Sequence, residues 1–192
     1  RTPLYEHGAQ GNAIADWNGD GYLDIAITSM MGRSRGDYDP SYLYFGNEQG
    51  TYSPERRIEL PGREAYEHAM ADLDDDGHVD VLLINQGEVT RLANEIFIYW
   101  NENNQFDPWR VTGLAAYKGV GVQVADLDCD GYLDVIVSNY FAAPDRTDKT
   151  SAVSIYWGSS NGYVTTDQTF LPIERSRTPA FADLNGDGHL DL

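Results

Sequence analysis

Four short stretches of this chain place oxygen-bearing side chains at one fixed spacing. They are Asp16-Trp17-Asn18-Gly19-Asp20-Gly21-Tyr22-Leu23-Asp24, Asp72-Leu73-Asp74-Asp75-Asp76-Gly77-His78-Val79-Asp80, Asp126-Leu127-Asp128-Cys129-Asp130-Gly131-Tyr132-Leu133-Asp134 and Asp183-Leu184-Asn185-Gly186-Asp187-Gly188-His189-Leu190-Asp191. Aspartate or asparagine fills positions 1, 3 and 5, glycine position 6 and aspartate position 9. Hard oxygens crowded around one point select calcium. In the first loop the expected ligands are the side chains of Asp16, Asn18, Asp20 and Asp24 and the backbone carbonyl of Tyr22, with Gly21 turning the chain so that this carbonyl points inward. By the same mapping the second loop offers Asp72, Asp74, Asp76, Asp80 and the His78 carbonyl. The third offers Asp126, Asp128, Asp130, Asp134 and the Tyr132 carbonyl. The fourth offers Asp183, Asn185, Asp187, Asp191 and the His189 carbonyl. An EF-hand would need glutamate at position 12 between two helices, and Ile27, Leu83 and Val137 stand there instead. Turn chemistry alone needs about two such residues, whereas each loop carries four or five.

The expected ligands of these loops include 14 of the 31 acidic residues. Without a cation the carboxylates would repel one another at a few ångströms. Four divalent ions would bring the formal net charge from −18 to −10, so the acidity is explained by about four Ca2+ sites and calls for no basic partner.

The elements that must hold the loops recur with them. The first aspartates lie 54 to 57 residues apart, the interval of a repeat architecture. Ala13-Ile14-Ala15 precedes the first loop and Ile25-Ala26-Ile27 follows it; Val81-Leu82-Leu83-Ile84 and Val135-Ile136-Val137 follow the second and third. Such branched runs read as buried strands. A third strand is expected at Tyr42–Phe45, Ile96–Trp100 and Val153–Trp157, and a weaker fourth at Arg57–Leu60, Trp109–Thr112 and Thr169–Leu171. No helical period is sustained, so the class is all-β. A four-stranded antiparallel unit of this length that repeats is expected to be a β-propeller blade, because one small twisted sheet cannot bury both faces alone. Blades are expected at about 9–62, 63–116 and 117–175, with a partial one at 176–192, about three and a half in all. That is a partial ring, to be completed by further blades or by self-association.

Loops of this pattern followed by a branched strand resemble the FG-GAP or VCBS repeats of integrin-α-like β-propellers. Phe45-Gly46 and Trp157-Gly158 stand where that family has its Phe-Gly, and Phe141-Ala142-Ala143-Pro144 is similar to its Gly-Ala-Pro. The second repeat departs, with Trp100-Asn101 and no Gly-Ala-Pro equivalent. The resemblance implies the propeller fold and its calcium sites. It implies no single activity, since the family includes adhesion receptors, lectins and polysaccharide-degrading enzymes.

Composition narrows the rest. With 41% apolar and 12% aromatic residues a core forms despite the charge. A pI of about 4.3 argues against nucleic acid or an anionic membrane as partner. No run of about 18 apolar residues is present, so no membrane insertion is expected. One cysteine, Cys129, makes no intrachain disulfide and sits at a non-ligand position of its loop. Calcium sites of moderate affinity fill at extracellular concentrations, which points to an extracellular, cell-surface or periplasmic location.

In a propeller the calcium loops share one face, and the connections from second to third strand and from blade to blade share the other. Nine of the 13 basic residues fall in the latter segments: Arg33, Arg35, Arg63, Arg91, Lys118, Arg146, Lys149, Arg175 and Arg177. Tyr38, Tyr66, Tyr117, Tyr140 and Phe141 join them. Arginine beside aromatic rings suits carboxylate or sulfate groups, so an extracellular protein or acidic polysaccharide is the expected partner. Arg35-Gly36-Asp37 is a tripeptide that some integrins bind, without further support here. No metalloprotease, nucleophile-elbow or phosphate-loop motif occurs. The acid/base group to consider is His68 with Tyr66, Tyr117 and Lys118, which would serve a polyuronate lyase or hydrolase. A purely structural repeat of a larger surface protein is the third reading.

Overall fold

A computed structural model describes residues 4, 8–30, 40–62, 64–86, 94–140, 151–165, 168–173 and 177–192. Among the described residues twelve strands form three four-stranded antiparallel meanders. The first sheet is β1 (Ala9–Ala15), β2 (Asp24–Ser29), β3 (Ser41–Tyr44) and β4 (Arg57–Leu60). The second is β5 (Ala65–Ala71), β6 (Asp80–Asn85), β7 (Asn94–Glu102) and β8 (Gln105–Ala116). The third is β9 (Gly119–Ala125), β10 (Asp134–Asn139), β11 (Ser151–Tyr156) and β12 (Gln168–Ile173). A fourth unit begins with the bridge between Ala182 and Asp191.

Stacking explains the branched runs. Val81 and Leu83 of β6 meet Trp17, Leu43 and Leu60 of the first sheet, while Leu82 and Ile84, pointing the other way, meet Val122, Val135 and Val137 of the third. A strand packed on both faces cannot alternate with polar residues, and every residue of β6 and of β10 is buried. In β2 burial alternates, with Ile25 and Ile27 only half-buried. Beyond the third sheet Ile136, Val153 and Ile155 pack with Phe181 of the fourth unit. Emptying one two-sided position, as in Leu82→Ala, would cost about 2–5 kcal/mol.

Two tyrosines pin neighbouring sheets at their rims. Tyr99 of β7 donates its hydroxyl to the Pro61 carbonyl at the end of the first sheet, and Tyr156 of β11 donates to Ala115 at the end of the second. At Gly121 a Cβ would lie 2.5 Å from the Thr178 backbone, so glycine at this place lets the fourth unit cross β9 closely.

The second sheet differs from the expectation at its outer edge. Only Trp109–Thr112 reads as a strand in the sequence, whereas β8 runs for 12 residues. Its two-residue turn is Asn103-Asn104 with φ of 52° and 62°, the successive left-handed pair of a tight hairpin, and asparagine tolerates that region.

Candidate metal centre

The four acidic loops connect first to second strands, and all four fold alike. In the second loop Asp72 accepts the amides of Asp76 and Gly77 at 3.0 and 2.8 Å, and Asp76 accepts that of His78 at 2.8 Å. Asp126 and Asp130 repeat these bonds in the third loop, as do Asp16 and Asp20 in the first and Asp183 and Asp187 in the fourth. Backbone amides thus aim the acids at one point. The glycine at position 6 has φ between 88° and 94° in every loop, a conformation that only glycine adopts without strain.

Two loops gather three carboxylates. Oxygens of Asp72, Asp74 and Asp76 all lie within 4.8 Å of one another, as do those of Asp126, Asp128 and Asp130. Oxygens bound to calcium at about 2.3–2.6 Å stand no farther apart than about 5 Å, so the spacing fits that ion, and the all-oxygen donor set fits its hardness. Partial burial, and then repulsion from Asp76 and Asp72, hold the Asp74 carboxyl above its usual range. In the first and fourth loops the middle place is Asn18 or Asn185, whose amide donates to Asp20 at 2.9 Å or Asp187 at 3.1 Å.

The acid at position 9 takes a different place. Asp24, Asp80 and Asp134 are buried, at 0–1% exposure. One oxygen of each accepts the amide at position 2 of its own loop, from Trp17, Leu73 or Leu127, at 2.8–3.0 Å. The other accepts an amide at the end of the third strand or just past it, from Gly46, Asn101 or Gly158, at 2.8 Å. This aspartate therefore ties the acidic loop to the third strand, and the sequence spacing alone gives no sign of it. Burial raises all three carboxyls, Asp80 to about 6, against the pull of its two amide donors. In the fourth loop Asp191 makes the first of these bonds, to Leu184 at 2.9 Å.

The glycines after the third strand have a steric reason. A Cβ at Gly46 would stand 2.3 Å from the Leu23 carbonyl oxygen, and one at Gly158 2.4 Å from that of Leu133. The same carbonyls accept the hydroxyls of Tyr52 and Tyr163, at 2.9 and 2.8 Å. In the second repeat, which has no such tyrosine, Asn101 donates its side-chain amide to the matching Val79 carbonyl at 3.1 Å and to Trp17 of the first loop at 3.0 Å.

The sequence profile of the FG-GAP-like repeat matches residues 16–83, 72–137 and 140–192. The chain belongs to the FG-GAP-like repeat family. It is also 27% identical over 179 residues to integrin alpha-6 of Gallus gallus, across 86% of this chain and 16% of that protein. The chain thus spans about a sixth of that relative's length. The family assignment and the three meanders agree with the blade architecture expected from the loops; no ring closure is seen among the described residues.

Of the residues expected on the opposite face, Arg33, Arg35, Arg63, Arg91, Arg146, Lys149 and Arg175 lie outside the described residues, as do Tyr38, Phe141 and the Arg35-Gly36-Asp37 and Phe141–Pro144 stretches. Lys118 is exposed, with φ 58°, and its ammonium lies 5.4 Å from the centre of the Tyr140 ring. Tyr117 stacks on Phe170, centroids 6.0 Å apart. Arg177 is exposed and Tyr66 half-buried. His68 lies on β5 with its side chain 7% exposed, 3.7 Å from Glu67, and burial pulls its pKa down. Among the described residues no hydrogen bond joins His68 or Tyr66 to Tyr117 or Lys118. His189 and His78 present their backbones to the loops, and the His189 ring stands 3.9 Å from the Cys129 sulfur.

Proposed function

We propose that this chain is a calcium-stabilised, extracellular propeller segment that acts as a binding or adhesion module for a protein or an acidic glycan. The observation that carries the reading is the pair of three-carboxylate clusters at one position of successive blades. Calcium there would be held by Asp72, Asp74 and Asp76 and by Asp126, Asp128 and Asp130, with Asp80, Asp134 and the His78 and Tyr132 carbonyls nearby in the same loops. The corresponding groups of the first and fourth loops are Asp16, Asn18, Asp20, Tyr22 and Asp24, and Asp183, Asn185, Asp187, His189 and Asp191. The ion would neutralise carboxylates that otherwise repel, so each loop stays closed and the strands it joins stay in register. Affinities of such open loops suit calcium-rich surroundings outside the cell.

The partner surface in this reading is the opposite face. Its support is the sequence pattern, in which nine of the 13 basic residues fall in the segments expected on that face, and the Lys118–Tyr140 pair, a cation beside an aromatic ring, with Tyr117 close in sequence. The test is binding of the chain to uronate-bearing and sulfated oligosaccharides and to extracellular-matrix proteins, in calcium and in chelator. Calcium-dependent binding that weakens in Lys118→Glu and Arg177→Glu is expected. Absence of any partner, or binding indifferent to both reversals, would contradict the reading.

A further inference from the structure

The second blade carries a groove on the calcium-loop face. Two adjoining cavities, of about 420 and 310 Å³, share Trp100, Glu102 and Arg110 as lining. The first continues along the β7–β8 hairpin past Gln105 and Asp107; the second reaches Asp74 of the acidic loop and Gly162 of the third blade. It is a site between two blades. The Trp100 ring is fixed, because its indole N–H donates to Thr112 at 3.0 Å. Arg110 and Glu102 form an ion pair across the hairpin, with side chains 60% and 51% exposed.

We propose that this groove binds a neutral saccharide, one sugar ring lying against Trp100 with its hydroxyls bonded to Glu102 and Arg110. A sugar ring offers an apolar C–H face to an aromatic ring and a rim of hydroxyls that both donate and accept. The lining supplies both partners: a carboxylate that only accepts and a planar guanidinium that only donates, held side by side. The volumes fall within the range of small-ligand sites. Charge selects among ligands. Glu102 and Asp107 outnumber Arg110, which disfavours uronates and sulfates, while Arg110 in the lining of both cavities disfavours a cationic side chain. A hydrocarbon would strand the polar rim. The groove uses none of the basic residues of the opposite face, so it extends the binding reading without depending on it.

The test is saturation-transfer NMR and calorimetric titration of the calcium-loaded chain with oligomers of N-acetylglucosamine, glucose, mannose and galactose. Oligogalacturonate and an arginine-rich peptide run beside them. At least one neutral series is expected to bind, with affinity lowered about tenfold or more in Glu102→Ala and in Arg110→Ala. Trp109→Ala is expected to bind as the parent does, because Trp109 is 77% exposed and outside the lining. Both sensitive positions are on the surface, so unchanged melting would confirm that the variants fold. No binding by any neutral sugar, binding only of the acidic or basic probe, or neutral binding untouched by both variants would each overturn the proposal. None of these results would alter calcium-dependent melting, which reports on the loops.

Discussion

The second blade and its two neighbours solve one problem in two ways. In the first and third blades, glycine follows the third strand because the carbonyl of loop position 8 lies within 2.4 Å of where a Cβ would be, and a tyrosine from the next connection caps that carbonyl. In the second blade the tight Asn103-Asn104 hairpin leaves no connection to carry a tyrosine. Asn101 takes over the cap, and a register shift between Tyr99 and Asn101 redirects the chain at that point. Its amide also reaches the Trp17 carbonyl, so the second blade grips the first blade's acidic loop. What is constant in these three blades is that the position-9 aspartate accepts an amide at the end of the third strand or just past it. The Phe-Gly motif is thus one way of bringing that amide to the loop, and the motif can vary while the amide stays.

The comparison breaks most visibly at the glycines. Gly46→Ala and Gly158→Ala would push a methyl group into backbone, and each is expected to cost about 3 kcal/mol or more in urea unfolding. Parent-like stability in both would remove the steric reason for the motif. Asn101→Ala keeps a Cβ that the second blade already accommodates but leaves two buried carbonyls without their donor, for an expected loss of about 2 kcal/mol. Tyr163→Phe removes one donor from the equivalent carbonyl of the third blade, for about 1 kcal/mol. Equal losses in the two variants would mean that the bond to Trp17 adds nothing.

A gentler probe is the pH profile. Native Asp80 keeps its proton up to about pH 6, while an unfolded aspartate releases it near 3.8. Between these values the native state binds more protons, so in chelator this group's contribution falls as pH rises through 6. A calcium ion held in the same loop would favour the ionised Asp80, so the stabilisation by calcium is expected to fall as pH drops through 6. Thermal melts from pH 4 to 7 with and without calcium read both slopes, and Asp80→Asn should flatten the first.

Much of this was legible in the sequence, and physics explains the remainder. Ligand spacing and the two-sided burial of β6 and β10 leave local patterns, so loops and inner strands can be read from neighbouring residues. The tie from Asp80 to Asn101 spans 21 residues and that from Asn101 to Trp17 spans 84, distances at which no local pattern forms. The Asn103-Asn104 turn carried a local signal, but exposed Trp109 and Arg110 and the intervening Pro108 obscure the alternation of β8. The acid/base grouping of His68 with Tyr117 and Lys118 rests on shared loop faces. A face is too coarse to say that β5 buries His68 in the seam beside Gly11 while Lys118 turns outward to Tyr140.

The most direct test of the central claim is thermal unfolding of the chelator-treated chain titrated with calcium. An ion that binds only the folded loops raises the midpoint, and one site at about 100 times its Kd adds about 2.7 kcal/mol. A midpoint that climbs with calcium, and climbs less in Asp74→Asn and Asp128→Asn, is the predicted result. The same midpoint in calcium and in chelator would contradict the account and leave the four loops as turns.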